Sequence, residues 1–363
     1  MRLAPTAEQS ELKAAVRRFC DEQVSPQRLA AWQREERGID EGTWRAIAEL
    51  GWFGLDLPSQ AGGSGAGLVE VACVLEECSR GLLPHAAINA MRASRALAVL
   101  DSASPELAAL ARGDRAVTLA LQEERGSSPA RYATRLETRA GTSVVNGEKW
   151  YVADAAHADW QIVAAREPAG LALVLLPRPA HGIKPLRTFD GERQAIVRYE
   201  QAAIIRRLTE PGLADEPLRQ MEREQRVLAL AELVGTMRAA LDMTVSYVKE
   251  REQFGQKIGV FQAVQHQVAD MATAFTAARH LAWQAITRLA AGTEEGTELD
   301  HAAAFVGQAC KRITLTAHHL HGGAGYVIEH PLHYHAERAQ SLCIRYAAES
   351  AALGEVAAAL LDS

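Results

Sequence analysis

Cysteine is scarce and forms no recognisable pattern: five residues in 363, an odd number with no C-x-x-C pair. That excludes a disulfide framework and fits a reducing compartment. Long apolar runs are missing as well, and the opening MRLAPTAEQSELKAAV lacks the uninterrupted apolar core of a signal peptide. The sequence therefore predicts a soluble cytoplasmic protein without membrane insertion. Positive charge is in short supply. The 39 Lys and Arg against 45 Asp and Glu leave a net −6, with no Lys/Arg block, which argues against nucleic acid or an anionic membrane as partner. What remains, 48% hydrophobic and 23% charged residues over 363 positions, is globular and long enough for two or three packed units.

Hydrophobic periodicity divides the chain into three blocks, and the class it predicts is α+β, mainly α. Residues 1–113 carry apolar residues at helical spacing over Glu8 to Glu22, Glu41 to Leu50, Leu68 to Ser79 and Ala86 to Leu100. Residues 114–208 change to short β-branched runs (Val117 to Leu121, Ser143 to Val145, Trp160 to Ala164, Leu171 to Leu176, Ile196 to Tyr199) and predict a small β-domain. Within it Asn146-Gly147 is a strong hairpin dipeptide. Residues 209–363 return to helix. One stripe is Leu233, Met237, Leu241, Val245 and Val248, another Phe261, Val264, Val268, Met271, Phe275 and Ala278, the pattern of a four-helix bundle of antiparallel helices. Cys73 and Cys78 share a helical pattern and are expected in the core.

The most informative stretch runs from Arg251 to Met271. A helical run ends at Arg251, a glycine-bearing turn follows, and a second run opens near Phe261. A guanidinium fork, an aromatic ring, Gln262 and a helix N-terminus are thereby gathered in one place, a combination suited to a pyrophosphate. The run resembles the R-x-x-F-G…F-Q-x-x-Q-h-x-x-A-D-M segment of the acyl-CoA dehydrogenase family. Four further segments, in the family's order, resemble its patterns. Leu57 to Gly65 is similar to V-P-E-x-x-G-G-x-G, and Leu121 to Ser127 to the flavin-binding L-T-E-P…G-S. Asn146 to Asp154 matches N-G-x-K-x-W-I-S/T-N, and His321 to Tyr326 matches the G-G-x-G-F/Y turn.

The resemblance covers nearly the whole chain and implies the family's fold: an N-terminal helical domain, a middle β-domain and a C-terminal four-helix bundle. It implies FAD as cofactor, an acyl-CoA as substrate and an electron-transfer flavoprotein as electron acceptor, in fatty acid or steroid catabolism. It further implies a homo- or hetero-oligomer, dimer or tetramer, because the turn and the Arg251 segment serve a neighbour's flavin. Carried over residue by residue, the cofactor-binding set is Gln122, Ser127, Tyr151, Ala153, Arg251, Phe254, Gln262, His319, Gly322 and Gly323. Tyr151 stands for a Trp beside the flavin and keeps an aromatic face. Ala153 stands for a Ser or Thr and loses its hydroxyl, and His319 stands for an adenine-side Gln.

Oxidising an acyl-CoA to its 2,3-enoyl form takes a proton from Cα and a hydride from Cβ, so a carboxylate base must face the flavin across the acyl chain. The family's two places for that glutamate fall here on Gln225, followed by Arg226, and on Tyr346; neither side chain accepts a proton near neutral pH. The neighbouring carboxylates are Glu224 and Glu349, both expected to be solvated surface glutamates. Arg226 is the residue the resemblance places at the substrate. Two readings follow. The chain is an acyl-CoA dehydrogenase whose base is not identified, or a non-catalytic partner that completes the FAD site of a heteromeric one. The run His321 to His333 resembles the H-G-G-x-G-F/Y-x-x-E-H-x-L-H variant of steroid- and ring-degrading members, which favours the second. An oxidase-type variant stays open. A metal reading of His318, His319, His321, His330, His333 and His335 is disfavoured, since the histidines straddle a glycine turn without a cysteine.

Overall fold

The computed structural model describes residues 4–124, 129–139, 141–295, 297–327, 329–347, 353–354, 356–357 and 361. In chain order its elements are α1 (Ala7–Gln23), α2 (Pro26–Trp32), α3 (Glu41–Glu49), α4 (Leu68–Arg80), α5 (His85–Leu100) and α6 (Leu107–Ala111). The strands follow: β1 (Val117–Ala120), β2 (Arg135–Arg139), β3 (Thr142–Ala153), β4 (Trp160–Glu167), β5 (Gly170–Pro177), β6 (Ile183–Leu186), β7 (Gln194–Ala203) and β8 (Arg206–Arg207). The chain then gives α7 (Asp215–Glu250), the two-residue strands β9 (Glu252–Gln253) and β10 (Gln256–Lys257), α8 (Gln262–Ala290), α9 (Glu298–His321) and α10 (Leu332–Tyr346). The class is α+β and mainly helical. Two compact units share these elements: Ala30–Ala66 with Pro84–Glu222, and Met1–Leu29 with Gly67–Leu83 and Arg223–Ser363.

The first unit is built on an eight-stranded sheet, in the order β6-β7-β3-β2-β4-β5-β8, with β1 parallel to β4. Residues 161–165 and 171–176 on β4 and β5 are buried without alternation, which means both faces of the sheet are covered. One face packs Ile162, Leu171, Leu173 and Leu175 on Leu97, Leu107 and Leu110; the other gathers Val145, Val152, Val163, Val174, Val197 and Tyr199.

The Asn146-Gly147 hairpin expected from the sequence is not there. Both residues lie inside β3, and the chain reverses instead between Arg139 and Thr142, where β2 and β3 pair. Asn146 has another task. Its Oδ1 accepts from the backbone N–H of Gln201 at 2.7 Å and from its Nε2 at 2.9 Å, holding a bulge in β7. Gly147 is required because a Cβ there would lie 2.5 Å from Thr134 Cα. The dipeptide that favours a tight turn equally favours a bulge, because each needs unusual backbone angles and a short polar side chain.

The helical unit holds α1, α4, α8, α9, α10 and most of α7. Thr6 and Gln9 close a capping box at the start of α1. Helix α7 approaches α4 closely at Gly235, where an added Cβ would meet Glu76 O at 1.9 Å. Leu233, Met237, Met271 and Ala278 are fully buried, as the helical stripes predict, and so are Cys73 and Cys78. Phe261, Val264 and Val268, at the start of α8, are only half-buried. The stripe therefore continues beyond what this unit covers.

Candidate functional site

The junction after α7 is a hairpin with Phe254 and Gly255 at its tip, both at positive φ (+56° and +77°). This is the primed geometry that a two-residue hairpin requires, and Phe254 tolerates it at a cost of about 1 kcal/mol. Phe254 is nevertheless 92% exposed, its ring meeting Phe261 edge-on at 6.0 Å. Covering such a ring gains roughly 2 kcal/mol. The strain and the exposure make sense together when another surface closes over the hairpin. Arg251 and Gln262 are exposed beside it, and the Arg251 guanidinium has no hydrogen bond or ion pair among the described residues.

Four residues before Arg251, Tyr247 ties this junction to the glycine turn. Its ring stacks on His321 at 4.3 Å and its hydroxyl donates to His321 O at 3.3 Å. At the end of α9, Gly322 adopts φ +56° with ψ −139°, a conformation reserved for glycine. His319, Gly322 and Gly323 are all exposed, and Tyr326 is exposed as well.

Beneath them lie neutral imidazoles. Burial lowers the pKa of His318, His321 and His330, and pushes His335 down to about 3. His321 Nδ1 pairs with Ala317 O at 2.8 Å and the His318 ring stacks on Tyr326 at 4.6 Å. Among the described residues no three His, Cys, Asp or Glu side chains are placed to hold a metal.

The two positions expected for the base are brought together. Arg226 Nε donates to Tyr346 O at 3.4 Å, so Gln225 on α7 and Tyr346 at the end of α10 belong to one locality. Arg226 also pairs with Asp300 at 2.7 Å, so its guanidinium is already engaged within the chain. Glu224 differs from expectation: it is buried, 7% exposed, not a solvated surface residue. Its place on the inward side of α7, next to the equally buried Gln225, keeps water from it. Glu349 and Ser127 lie outside the described residues.

In the sheet unit, Gln122 is exposed and its carbonyl accepts from Trp150 N–H at 2.9 Å, which places it beside the end of β3. The register of β3 and β7 slips between Lys149 and Val152, and the extra residue lets Tyr151 adopt φ +57° with its ring partly exposed. Ala153 is 8% exposed and its carbonyl accepts from Thr118 Oγ1 at 2.5 Å.

A buried ion pair that sequence reading passed over fixes this geometry. Lys149, fully buried, reaches Glu123 Oε1 and Leu121 O at 3.1 Å each, its ammonium 3.8 Å from the Tyr132 ring centroid. Burial brings the Lys149 pKa down to about 8 against the pull of Glu123. Burial would raise the Glu123 carboxylate, but the amides of Ala133 and Thr134 and the charge of Lys149 outweigh it and hold it below its ordinary range. Glu123 thus clamps residues 121–123 to 133–134 under β3. The signal in the sequence was a lysine at an inward-facing position of a strand.

Comparison with known proteins agrees with this architecture. Family models match in three segments: the acyl-CoA dehydrogenase N-terminal domain over residues 6–109, the middle domain over 118–199 and the C-terminal domain over 219–355. The chain is 31% identical over 348 residues to benzylmalonyl-CoA dehydrogenase of Aromatoleum aromaticum, covering 90% of this chain and 91% of that one. It is 28% identical to acyl-CoA dehydrogenase IpdE2 of Mycobacterium tuberculosis, with 93% and 92% covered. Among solved structures it is similar to a variant of the Tcur3481-Tcur3483 steroid ACAD, with TM-score 0.89 and 29% identity over 98% and 99% of the chains. The ChsE4-ChsE5 complex from Mycobacterium tuberculosis shares the fold, with TM-score 0.90 and 24% identity over 100% of both chains. No helix among the described residues is long and apolar enough to cross a membrane. Three domain matches in order, over a fold of this architecture, show that the chain belongs to the acyl-CoA dehydrogenase family.

Proposed function

We propose that this chain is an FAD-binding subunit of an acyl-CoA dehydrogenase assembly, one that completes a cofactor site while a related subunit supplies the base. The observation that carries this reading is the pair Gln225 and Tyr346, joined through Arg226, at both places where a catalytic glutamate is expected. The assembly oxidises an acyl-CoA to the 2,3-enoyl thioester and hands electrons to an electron-transfer flavoprotein. The similar steroid ACAD, named for two components, and the benzylmalonyl-CoA dehydrogenase support ring-bearing or branched acyl groups as the substrate class.

The residues fit the cofactor. Arg251, Phe254, Gln262, His319, Gly322 and Gly323 would take the flavin of a neighbouring subunit: an unpaired guanidinium for phosphate, an exposed ring, and glycines that let a ligand approach the backbone. Gln122, Tyr151 and Ala153 would face a flavin on the sheet unit; Ser127, outside the described residues, is assigned to it by the family resemblance alone. FAD, when bound, supplies the two-electron acceptor for the acyl chain. Tyr151 offers an aromatic face beside it, and Ala153 offers no hydroxyl.

One observation favours a self-sufficient enzyme instead. Glu224 is buried next to Gln225, so a carboxylate does lie at this locality, shielded from bulk water. Co-expression separates the two readings. The chain is purified with a family member that keeps a glutamate at either position, and FAD content and acyl-CoA oxidation are measured for the pair and for each chain. Activity confined to the pair supports the proposal. Full activity of this chain by itself, abolished by Glu224→Gln, overturns it.

A further inference from the structure

In the helical unit, the first turns of α1, the start of α4 and the C-terminal half of α8 form a cleft of about 180 Å³ that nothing above employs. Its walls are apolar where Pro5, Val69 and the Trp283 ring line it. Trp283 is almost wholly buried, and its Nε1–H donates to Glu76 Oε2 at 2.9 Å, so the indole is a fixed wall. Lys13 lies over that ring, its ammonium 5.5 Å from the centroid.

Most of the polar side chains that line the cleft are spent within the chain. Lys13 pairs with Glu76 at 2.6 Å and with Glu77 at 3.5 Å, which neutralises its ammonium. Thr6 Oγ1 accepts from the Gln9 N–H at 3.2 Å, and Gln9 Oε1 accepts in return from the Thr6 N–H at 2.9 Å. Gln9 Nε2 donates to Glu70 Oε1 at 2.9 Å, and Thr287 Oγ1 donates to Trp283 O at 2.8 Å. Arg279 is the exception. It is half-buried on α8, one turn before Trp283, and its guanidinium forms no hydrogen bond or ion pair among the described residues. Glu70, the acid beside Gln9, is taken up by the Gln9 amide and by the Gly67 N–H at the start of α4, where a helix N-terminus favours its charge.

The chemistry of a ligand follows from what is left over. A planar fork of donors without a partner calls for a carboxylate, which it binds bidentately. An aromatic wall favours a ring packed against it. A cavity of about 150 Å³ admits benzene, so about 180 Å³ admits one ring with its carboxylate and is too small for a flavin or coenzyme A. We propose that this cleft is a binding site for a single-ring aromatic carboxylate, with the carboxylate on Arg279 and the ring between Trp283, Pro5 and Val69. The ligand joins the start of α1 to α8, and so stabilises the helical unit when it binds. The site stands on the helical unit alone and needs no flavin.

Benzoate is the probe, titrated calorimetrically into the full chain, with benzamide as a ring without charge and acetate as a charge without a ring. Benzoate should bind with a dissociation constant of about 1 mM, the range expected of so small a ligand. Benzamide and acetate should each bind at least about tenfold more weakly. With benzoate at about 10 mM the melting temperature should rise by about 2 °C. Arg279→Gln should weaken benzoate binding at least about tenfold and leave the ligand-free melting temperature unchanged, because the guanidinium has no partner to lose. Ala4→Trp fills the cleft from an exposed position while keeping Arg279, and should abolish binding; it decides the matter if Arg279→Gln melts lower. Unchanged benzoate affinity in either variant, no binding up to about 10 mM, or acetate bound as tightly as benzoate overturns the site.

Discussion

Two localities of the helical unit invite comparison: the hairpin at 251–257 with the glycine turn, and the junction of α7 with α10 at Gln225, Arg226 and Tyr346. The first is exposed, strained at Phe254, and resembles the family pattern apart from His319. The second is folded in on itself, with Arg226 tied to Asp300 and to Tyr346, and lacks the glutamate at both positions. Exposure of a ring and a guanidinium implies a partner surface; an internally satisfied arginine implies none. Holding a cofactor and performing its chemistry are separable tasks, and we propose that in this chain they have come apart.

The largest expected effect comes from undoing that separation. Gln225→Glu or Tyr346→Glu restores a base where the family has one, and should raise the rate of flavin reduction by an acyl-CoA by about 10²-fold or more. Stopped-flow absorbance with a panel of straight-chain and ring-bearing acyl-CoAs measures it. No gain from either variant would mean that more than the base has been lost at this locality.

On the cofactor side, Arg251→Ala should weaken FAD binding by about 10–100-fold while the melting temperature of the apo-protein stays unchanged, because the guanidinium forms no hydrogen bond or ion pair among the described residues. Fluorescence titration of FAD gives the first number and calorimetry the second. A large loss of stability would assign Arg251 to the fold instead.

The glycine turn rests on buried neutral histidines, which makes it the acid-sensitive side of the comparison. Their pKa values lie below that of an unfolded histidine, so the unfolded chain takes up protons that the native one refuses. Stability should fall as pH drops from about 6.5 toward the His335 value of about 3, by on the order of 2 kcal/mol. Denaturant melts at a series of pH values, with His335→Leu as the variant that flattens the acid limb, measure this. The smallest effect is Ala153→Thr, which returns a hydroxyl to the flavin-facing strand and should tighten FAD binding about threefold.

Much of this was legible in the sequence. The helices expected at Glu8, Glu41, Leu68 and Ala86 appear within a residue of their periodic patterns, as do β1 and β5, because their apolar faces are buried where the spacing places them. Strands β3, β4 and β7 run three to eight residues past the runs that announce them, and β2, β6 and β8 had no such run. The hairpin of Phe254 and Gly255 was readable for the same local reason. Asn146-Gly147 was misread because a bulge and a turn need the same residue types, and only the pairing with β7 decides between them. Glu224 was expected in solvent, since a glutamate carries no mark of which side of a long helix is covered. The clamp of Glu123 on Lys149 was invisible because it joins residues 26 apart in the chain. Tertiary pairing, not propensity, sets those charges.

One measurement bears on the separation most directly: the flavin absorbance spectrum of this chain purified alone, loaded with FAD and mixed anaerobically with excess acyl-CoA. The flavin band should persist with every acyl-CoA in the panel, and bleach once a subunit bearing the glutamate is added. Bleaching by the chain on its own would contradict the account, and would make Glu224 the first residue to replace.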